Sequence, residues 1–506
     1  MLKKFLCSSV AGAALLTVAG AANAGTLYIA RMNAGNEVPV NPSTATGVGV
    51  LILNDARTSA IVRGTHNVVP ATVTAGHIHR GAAGVNGPVI FPFPNPQTGY
   101  ELVWAIPAAD VVNLDAQGLY FNIHTLSRPG GEIRGQAIRA RLAPSAKNAT
   151  QAAIANALDV SAGFARDLDD ALVLANLAGA DAQAKALDDL SGRSLYIIGR
   201  ESLESMANAS NSLLGRSEDM RFAGNAPSTG TSVFANAGVE FGKRSVETAE
   251  VGSKISRPFV VAGFDFAMDG TSHGGLALGY AQGKNNIKNN LGTIEGDTTS
   301  VQGFFSSDLG GSGLALDGVV GYGWNDIDTE RNIPTFTQRA IGGTKAKTWS
   351  IALKASSQVK LSEDAIFQPY LLLDHQNADI DGYSEAGAGS LGLIVSDHKR
   401  KNTKGEIGGA FATSGKSGST MVTARLTAGL QHRLSGGDTA ITTRLVGSAV
   451  TFATPILAPA KSAGRIGASI TAAMNDGLIA SFGYRGLVGS KRYGNHAVEL
   501  RMSMGF

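Results

Sequence analysis

The C-terminal half of this chain alternates, residue by residue, between large apolar side chains and small or charged ones. Val260, Ala262, Phe264, Phe266 and Met268 stand against Val261, Gly263, Asp265 and Ala267. Leu276, Leu278 and Tyr280 stand against Gly275, Ala277 and Gly279, and Leu478, Ala480, Phe482 and Tyr484 against Ile479, Ser481, Gly483 and Arg485. Successive side chains of a strand point to opposite faces, so each segment is a strand with one large apolar face and one small or polar face. A soluble sandwich buries its large faces against each other and carries more charge outside. Segments of about ten residues separated by turns, with apolar residues facing lipid and polar ones facing a lumen, are the pattern of an outer-membrane barrel. Tyr280, Trp324 and Tyr484, near strand ends, suit its interfacial aromatic girdle.

Candidate strands begin near Val233, Phe259, Gly275, Val301, Gly313, Thr348, Ile366, Gly405, Met421, Ala440, Arg465, Gly477 and His496. Single-chain bacterial barrels have even strand numbers, so twelve are expected, and Val233 marks the weakest candidate. The longest turns, around 332–343 and 385–400, are expected outside the cell. The last segment, V-E-L-R-M-S-M-G-F, turns Val498, Leu500, Met502 and Met504 to lipid and Glu499 and Arg501 to the lumen. Inward charges such as Asp265, Asp317, Glu499 and Arg501 hydrate the lumen or pair with whatever fills it.

Upstream the texture changes twice. Residues 1–24 carry Lys3 and Lys4, a short apolar core and an A-N-A site, which is a secretory signal peptide cleaved after Ala24. Cys7 precedes the apolar core, so it is no lipid anchor, and the remaining chain has no cysteine to crosslink it before export. Of the formal charge of +3, Lys3 and Lys4 supply two, which gives no argument for a nucleic-acid partner. Residues 25–142 read as short β-runs between turns, an antiparallel β-sandwich. Residues 143–229 are rich in Ala, Leu, Asp and Asn, with Ile154 and Leu158, then Leu168 and Leu172, at helical spacing. Residues 230–506 are the barrel. The fold class is therefore mostly β, with a helical linker between a sandwich and a 12-stranded transmembrane barrel.

Residues 230–506 resemble the translocator barrel of autotransporters (type V secretion). The resemblance is carried by V-A-G-F-D-F from Val261, G-L-A-L-G-Y-A from Gly275, F-F-S-S-D-L from Phe304, L-D-G-V-V-G-Y-G-W from Leu316, Gln368-Pro369-Tyr370-Leu371 and the terminal R-M-S-M-G-F. It implies a helix threading the lumen, here between roughly Ser202 and Phe222, with Ala207, Ala209, Ser210 and Ser212 suiting a narrow pore. It also implies that Leu500, Met502, Met504 and Phe506 form the signal read by the barrel-assembly machinery. The implied partners are outer-membrane lipid, that machinery, the Sec translocon, periplasmic chaperones and an unidentified extracellular ligand. The Asn-Asn cleavage motif of self-cleaving members is absent from the linker and helix, so release of the passenger is not implied.

Residues 25–142 resemble the CHRD domain, first described in chordin. They match it through N-E-V-P-V from Asn36, T-G at Thr46, G-H-I-H-R-G-A-A-G-V-N-G-P-V from Gly76, N-I-H-T from Asn122 and P-G-G-E-I-R-G-Q from Pro129. The resemblance gives a fold more than a function. His77 and His79, two apart on a strand, project from one face, and with His124 they make a candidate zinc or copper site. Glu37, Glu132 or Asp110 would supply a further ligand or orienter. Glu132 and Arg134, flanking Ile133, are placed for a cross-strand ion pair. No G-x-S-x-G elbow or nucleophile–base pair occurs in the passenger, so the chain is not expected to be an enzyme. The combined expectation is an outer-membrane autotransporter that displays a CHRD passenger at the cell surface. Its rivals are a porin-like channel with a periplasmic CHRD domain and a metal-dependent surface enzyme using the histidines.

Overall fold

The computed structural model describes residues 25–222, 230–245, 251–309, 313–437, 439–456, 458, 460–475, 477–489 and 493–505. The signal segment 1–24 and Phe506 lie outside the described residues. The chain divides into two compact units, Met1–Arg141 with Leu158–Asn176, and Leu142–Ala157 with Leu177–Phe506.

The first unit contains nine strands: β1 (Gly25–Asn33), β2 (Thr46–Asn54), β3 (Ala60–His66), β4 (Val73–Arg80), β5 (Val89–Pro92), β6 (Gly99–Trp104), β7 (Leu119–Thr125), β8 (Ile133–Gln136) and β9 (Ile138–Arg139). The short helix α1 (Ala108–Asp115) packs Val111 and Leu114 into its core. The strands form one sheet in the order β5-β4-β7-β8-β1-β2-β3-β6, with β9 beside β1, and every pairing is antiparallel. The sandwich is thus one sheet folded onto itself. Its two ends meet where Phe91 stacks on Trp104 at 5.0 Å and Phe93 on Tyr100 at 4.1 Å between ring centroids. Tyr28, Leu51, Val62, Ile78, Phe121 and Ile133 fill the enclosed core.

Helices α2 (Ala149–Leu158), α3 (Arg166–Leu177), α4 (Ala180–Leu190) and α5 (Tyr196–Phe222) follow in the chain. Two acidic residues of α3 and its first arginine tie it to the sheet: Arg63 lies 3.7 Å from Asp169 and 3.3 Å from Asp170, and Arg166 pairs with Glu101.

The second unit holds β10 (Thr231–Arg244), β11 (Ser253–Ala267), β12 (Ser272–Ile287), β13 (Gly292–Asp308), β14 (Leu314–Ile333), β15 (Gln338–Ser357), β16 (Val359–Lys360), β17 (Ala365–Ile380) and β18 (Tyr383–Ser384). It continues with β19 (Leu393–Val395), β20 (His398–Ser417), β21 (Thr420–Ser435), β22 (Thr439–Leu445), β23 (Thr451–Ile456), β24 (Ser462–Ala473), β25 (Leu478–Val488) and β26 (Tyr493–Gly505). Twelve of these close into a barrel, in which β10, the first strand, pairs with β26, the last, from Ser232↔Gly505 to Arg244↔Tyr493. Closure removes the open edges that lipid would leave unpaired. Parity holds around the wall. Phe264, Leu278, Val320, Leu371, Leu430 and Phe482 face outward and are 45–69% exposed, while Asp265, Asp317 and Gln368 face inward and are fully buried. Tyr280 and Trp324 lie on the outward face, 46% and 48% exposed, as the aromatic girdle requires. Leu500, Met502 and Met504 also face out, at 48%, 43% and 44%, and Glu499 and Arg501 face in.

Twelve strands are present, but the surplus candidate is the one at Ala440, not the one at Val233. Val233 lies in β10 and closes the wall. Ala440 lies in β22, which joins a separate four-stranded sheet ordered β18-β19-β22-β23. The reason is visible in T-A-I-T-T-R-L: its exposed positions are Thr439, Ala440 and Thr442, which offer lipid nothing large. The turn expected to be long at 332–343 is instead a tight connection at Pro334–Thr337 between two 20-residue strands, with Thr337 in the left-handed region at φ 52°. The long excursions are 381–397 and 436–461, and they supply the four-stranded sheet. Short turns such as 268–271 and 418–419 mark the opposite end, which in outer-membrane barrels is the periplasmic one.

Candidate functional site: a threaded lumen and a three-histidine cluster

The helix α5 has 27 residues, about 40 Å at 1.5 Å per residue, which exceeds the ~25 Å apolar band of an outer-membrane barrel. Polar and apolar residues are mixed on all its sides, so no single face could drive it onto a flat core. The wall explains this composition. Ala209, Leu213 and Leu214 pack against Phe234, Phe259, Val261, Ala277, Phe304 and Val319 of β10–β14. Around the rest of the helix, charge meets charge. Glu201 receives two hydrogen bonds from Arg257, at 2.6 and 2.8 Å, and one from Asn285 at 2.7 Å, and Arg257 also pairs with Glu240. Near the helix C-terminus Arg216 pairs with Asp265 at 2.7 Å and Arg221 with Asp317 at 2.7 Å and Asp308 at 2.8 Å. Glu218 pairs with Lys354 and Arg425, and Asp219 with Arg425 at 2.9 Å and Arg501 at 2.6 Å. Glu499 accepts from Ser212. All four inward charges singled out from parity therefore meet the helix. Arg257, Glu240, Lys354 and Arg425, which the sequence reading does not single out, share the inward parity of their strands as well.

The first unit carries a different polar site, on the sheet face opposite the core. In register, His77 lies opposite Asn122, His79 opposite Tyr120 and Ala75 opposite His124, and Arg134 lies opposite Asn122 on the next strand. That pairing gathers the three histidines: their ligating atoms lie within 4.8 Å of one another. Ring centroids are 5.0 Å apart for His77 and His124, 5.4 Å for His77 and His79, and 5.7 Å for His79 and His124. Loop carbonyls orient two of the rings. His79 Nδ1 donates to the Gly87 carbonyl at 3.0 Å, and His124 Nδ1 donates to the Pro129 carbonyl at 3.0 Å. Their Nε2 atoms, with His77 Nδ1, are buried and have no protein partner. Metal-binding histidines are commonly held this way, with a carbonyl on one ring nitrogen fixing the tautomer and leaving the other nitrogen free as a lone pair. Three imidazoles 2.0–2.1 Å from one zinc ion stand about 3.4 Å apart, so rings whose ligating atoms lie within 4.8 Å must draw together by at most about 1.4 Å to share an ion.

The three carboxylates considered as a fourth ligand lie outside this cluster. Asp110 is held by Arg80 at 2.6 Å, Glu132 accepts from Thr125 Oγ1 at 2.8 Å, and Glu37 packs against Gly131. The expected Glu132–Arg134 pair does not form. Arg134 turns instead to the 81–88 loop, donating to the Ala82 and Val85 carbonyls at 2.8 and 3.0 Å, and its guanidinium lies 3.5 Å from the Tyr120 ring centroid. His79 stacks on the same ring at 4.8 Å, so Arg134 braces the histidine cluster through Tyr120.

Burial pushes all three imidazoles toward the neutral form. It lowers His77 to about 4, with the other two histidines adding to the effect, and it lowers His79 and His124 as well. Burial raises Glu37 to about 7, against the opposing influence of Arg134 and Asn122. A histidine held neutral takes its proton first in the unfolded chain. The fold therefore keeps this contribution above pH ~6.5 and loses it as pH falls toward about 4. Glu37 acts with the opposite sign, favouring the fold below 4.5 and losing that contribution as pH rises through about 7. In the full chain, hydrogen-exchange protection of β4 and β7 should fall as pH drops through the histidine window. His77→Gln should flatten that fall and Glu37→Gln should steepen it. Protection that rises on acidification would contradict the assignment.

Comparison with known proteins agrees with both halves. The Autotransporter beta-domain family matches residues 233–485, and the CHRD domain family matches residues 28–137. No curated protein matches the chain. Among solved structures, the chain is similar to the translocator domain of the autotransporter NalP from Neisseria meningitidis, with 18% identity and a TM-score of 0.46, covering 60% of this chain and 99% of that one. The beta domain of the Bordetella autotransporter BrkA is also similar, with 16% identity and a TM-score of 0.41, covering 55% of this chain and 100% of that one. The transport unit of AIDA-I from Escherichia coli gives 12% identity and a TM-score of 0.38, covering 57% and 97%. With the β-domain match spanning half of its length, this chain belongs to the autotransporter family.

Proposed function

We propose that this outer-membrane autotransporter carries its CHRD domain across the membrane and leaves it displayed at the cell surface, where it holds a zinc or copper ion. One observation carries the display reading: the direction in which the chain traverses the barrel. Just before α5, Asp189 accepts from the Thr335 backbone N–H at 3.0 Å, and the Ser191 carbonyl accepts from Thr454 Oγ1 at 3.0 Å, both on the long-loop side. After α5 the chain enters β10 at the short-turn end, where Ser232 pairs with Gly505. A chain that passes from the long loops to the short turns leaves its N-terminal part outside. The Sec translocon and periplasmic chaperones deliver such a chain, and the barrel-assembly machinery receives the outward face of Leu500, Met502 and Met504.

Display is tested with protease added to intact cells, using an antibody to residues 25–142. The domain should be digested while the barrel stays intact. A passenger protected until the outer membrane is permeabilised would instead fit a porin-like channel with a periplasmic domain.

The donor set selects the metal. Three neutral imidazoles, with no thiolate and no carboxylate in the cluster, suit zinc or copper and not magnesium or calcium. An ion there would serve as a binding point with at least one open position, available to an extracellular ligand. Elemental analysis of the purified full chain should give about one equivalent of zinc or copper, because one three-imidazole cluster provides one coordination shell. A triple substitution of His77, His79 and His124 by Ala should remove it. Retention of the metal by the triple variant, or a metal-free wild type after exposure to both ions, would rule the site out.

A further inference from the structure

The helix does not sit at the centre of the lumen, and the space it leaves is charged. Its apolar residues Ala209, Leu213 and Leu214 lie against the β10–β15 side. On the other side a cleft of about 160 Å³ runs between α5 and the wall made by β17, β20, β21, β24, β25 and β26. Among the described residues that line it, eight are arginine or lysine and four are aspartate or glutamate. Some of this charge is compensated: Arg465 lies 3.1 Å from Glu406 and Lys404 lies 3.2 Å from Asp374. Arg433 and Lys461 have no carboxylate partner among the described residues. Arg433 donates to the Gly436 carbonyl at 3.0 Å, and its Nε is buried without a partner.

The cleft continues past Arg465 and Arg485 into a smaller one of about 80 Å³, lined also by Glu218, Arg425 and Arg501. There the ion pairs of Glu218 and Asp219 with Arg425 and Arg501 form its floor. The path therefore begins among residues of the long-loop half, such as Arg400 and Lys461, carries an excess of cationic side chains in its wider part, and ends at an ionic constriction where arginines and carboxylates balance. A narrow lumen walled by low-dielectric material focuses such an excess into a local potential that gathers anions and repels cations.

We propose that the barrel, with its helix in place, is a residual anion-selective pore. Small inorganic anions enter the cleft from the extracellular side, and the floor at Glu218 and Asp219 sets the resistance. The pore is separate from the passenger's function and needs no movement of α5.

Planar-bilayer recording of the purified full chain in a potassium chloride gradient tests this directly. The reversal potential should show chloride favoured over potassium by at least about threefold. Two variants separate the parts of the account, each checked for a folded barrel by its heat-modifiable mobility. Arg433→Glu with Lys461→Glu should move selectivity toward potassium without raising the current. Glu218→Gln with Asp219→Asn should raise the current at least about twofold and keep chloride preference, because it loosens the floor and leaves its arginines in place. A silent, unselective or potassium-preferring wild type would overturn the proposal. So would a chloride preference untouched by the Arg433 and Lys461 reversals.

Discussion

The structure depends on one electrostatic constraint. A closed wall in lipid turns its charged side chains inward, where Arg257, Asp265, Asp317 and Glu240 are buried, and there the charges must find partners or remain uncompensated. Leaving one member of a buried pair unpaired costs about 3–5 kcal/mol. The helix supplies the partners: Glu201 for Arg257, Arg216 for Asp265, Arg221 for Asp317, Asp219 for Arg501. The dependence is mutual. A segment this polar on every side is a poor isolated helix, and the wall stabilises it as one. The pairing also fixes which way the chain runs through the barrel, and the asymmetry of the apolar contacts fixes where the basic cleft lies.

Alternation was the most readable part of the sequence because a membrane strand has to satisfy it on both faces at once. That is why the inward placement of Glu499 and Arg501 and the outward placement of Leu500 and Met502 could be read from spacing alone. Alternation does not distinguish a wall strand from a strand in an extracellular cap. T-A-I-T-T-R-L alternates as a wall strand does and so places Ala440 in the wall, although its exposed face is small and polar. Nor does it locate long turns, since strands here run well past the membrane: β14 and β15 continue to Ile333 and from Gln338, where the sequence suggested an open loop. The helix was legible from its small residues, but the partners of its charges were not. Pairing across a barrel is set by closure and register, which a single sequence does not record.

The passenger site shows the same division. Placing His77 and His79 on one face needs only the period of a strand. Bringing His124 to them needs the β4–β7 register, with Ala75 opposite His124. The clamps that make the cluster a site, the Gly87 and Pro129 carbonyls, are loop geometry and leave no residue-type signature. Spacing in the sequence pairs Arg134 with its near neighbour Glu132, yet the protein uses it to brace Tyr120 and the 81–88 loop. Sequence proximity favours the local ion pair, whereas the converging Ala82 and Val85 carbonyls of the loop call for a donor with several N–H groups.

The central claim is that α5 lies within the lumen of the assembled barrel, and a single crosslink tests it. The only cysteine is Cys7, within the signal segment, so cysteines placed elsewhere are unambiguous. Asn236 of β10 donates to Ser212 of α5 at 2.9 Å, so their side chains meet where the helix lies against the wall. Ser212→Cys with Asn236→Cys, expressed in cells and treated with a short bifunctional thiol crosslinker, should be joined within one chain in nearly all of the heat-modifiable, folded barrel. A folded barrel whose two thiols stay free and react with a small thiol reagent would show the lumen without its helix and contradict the account.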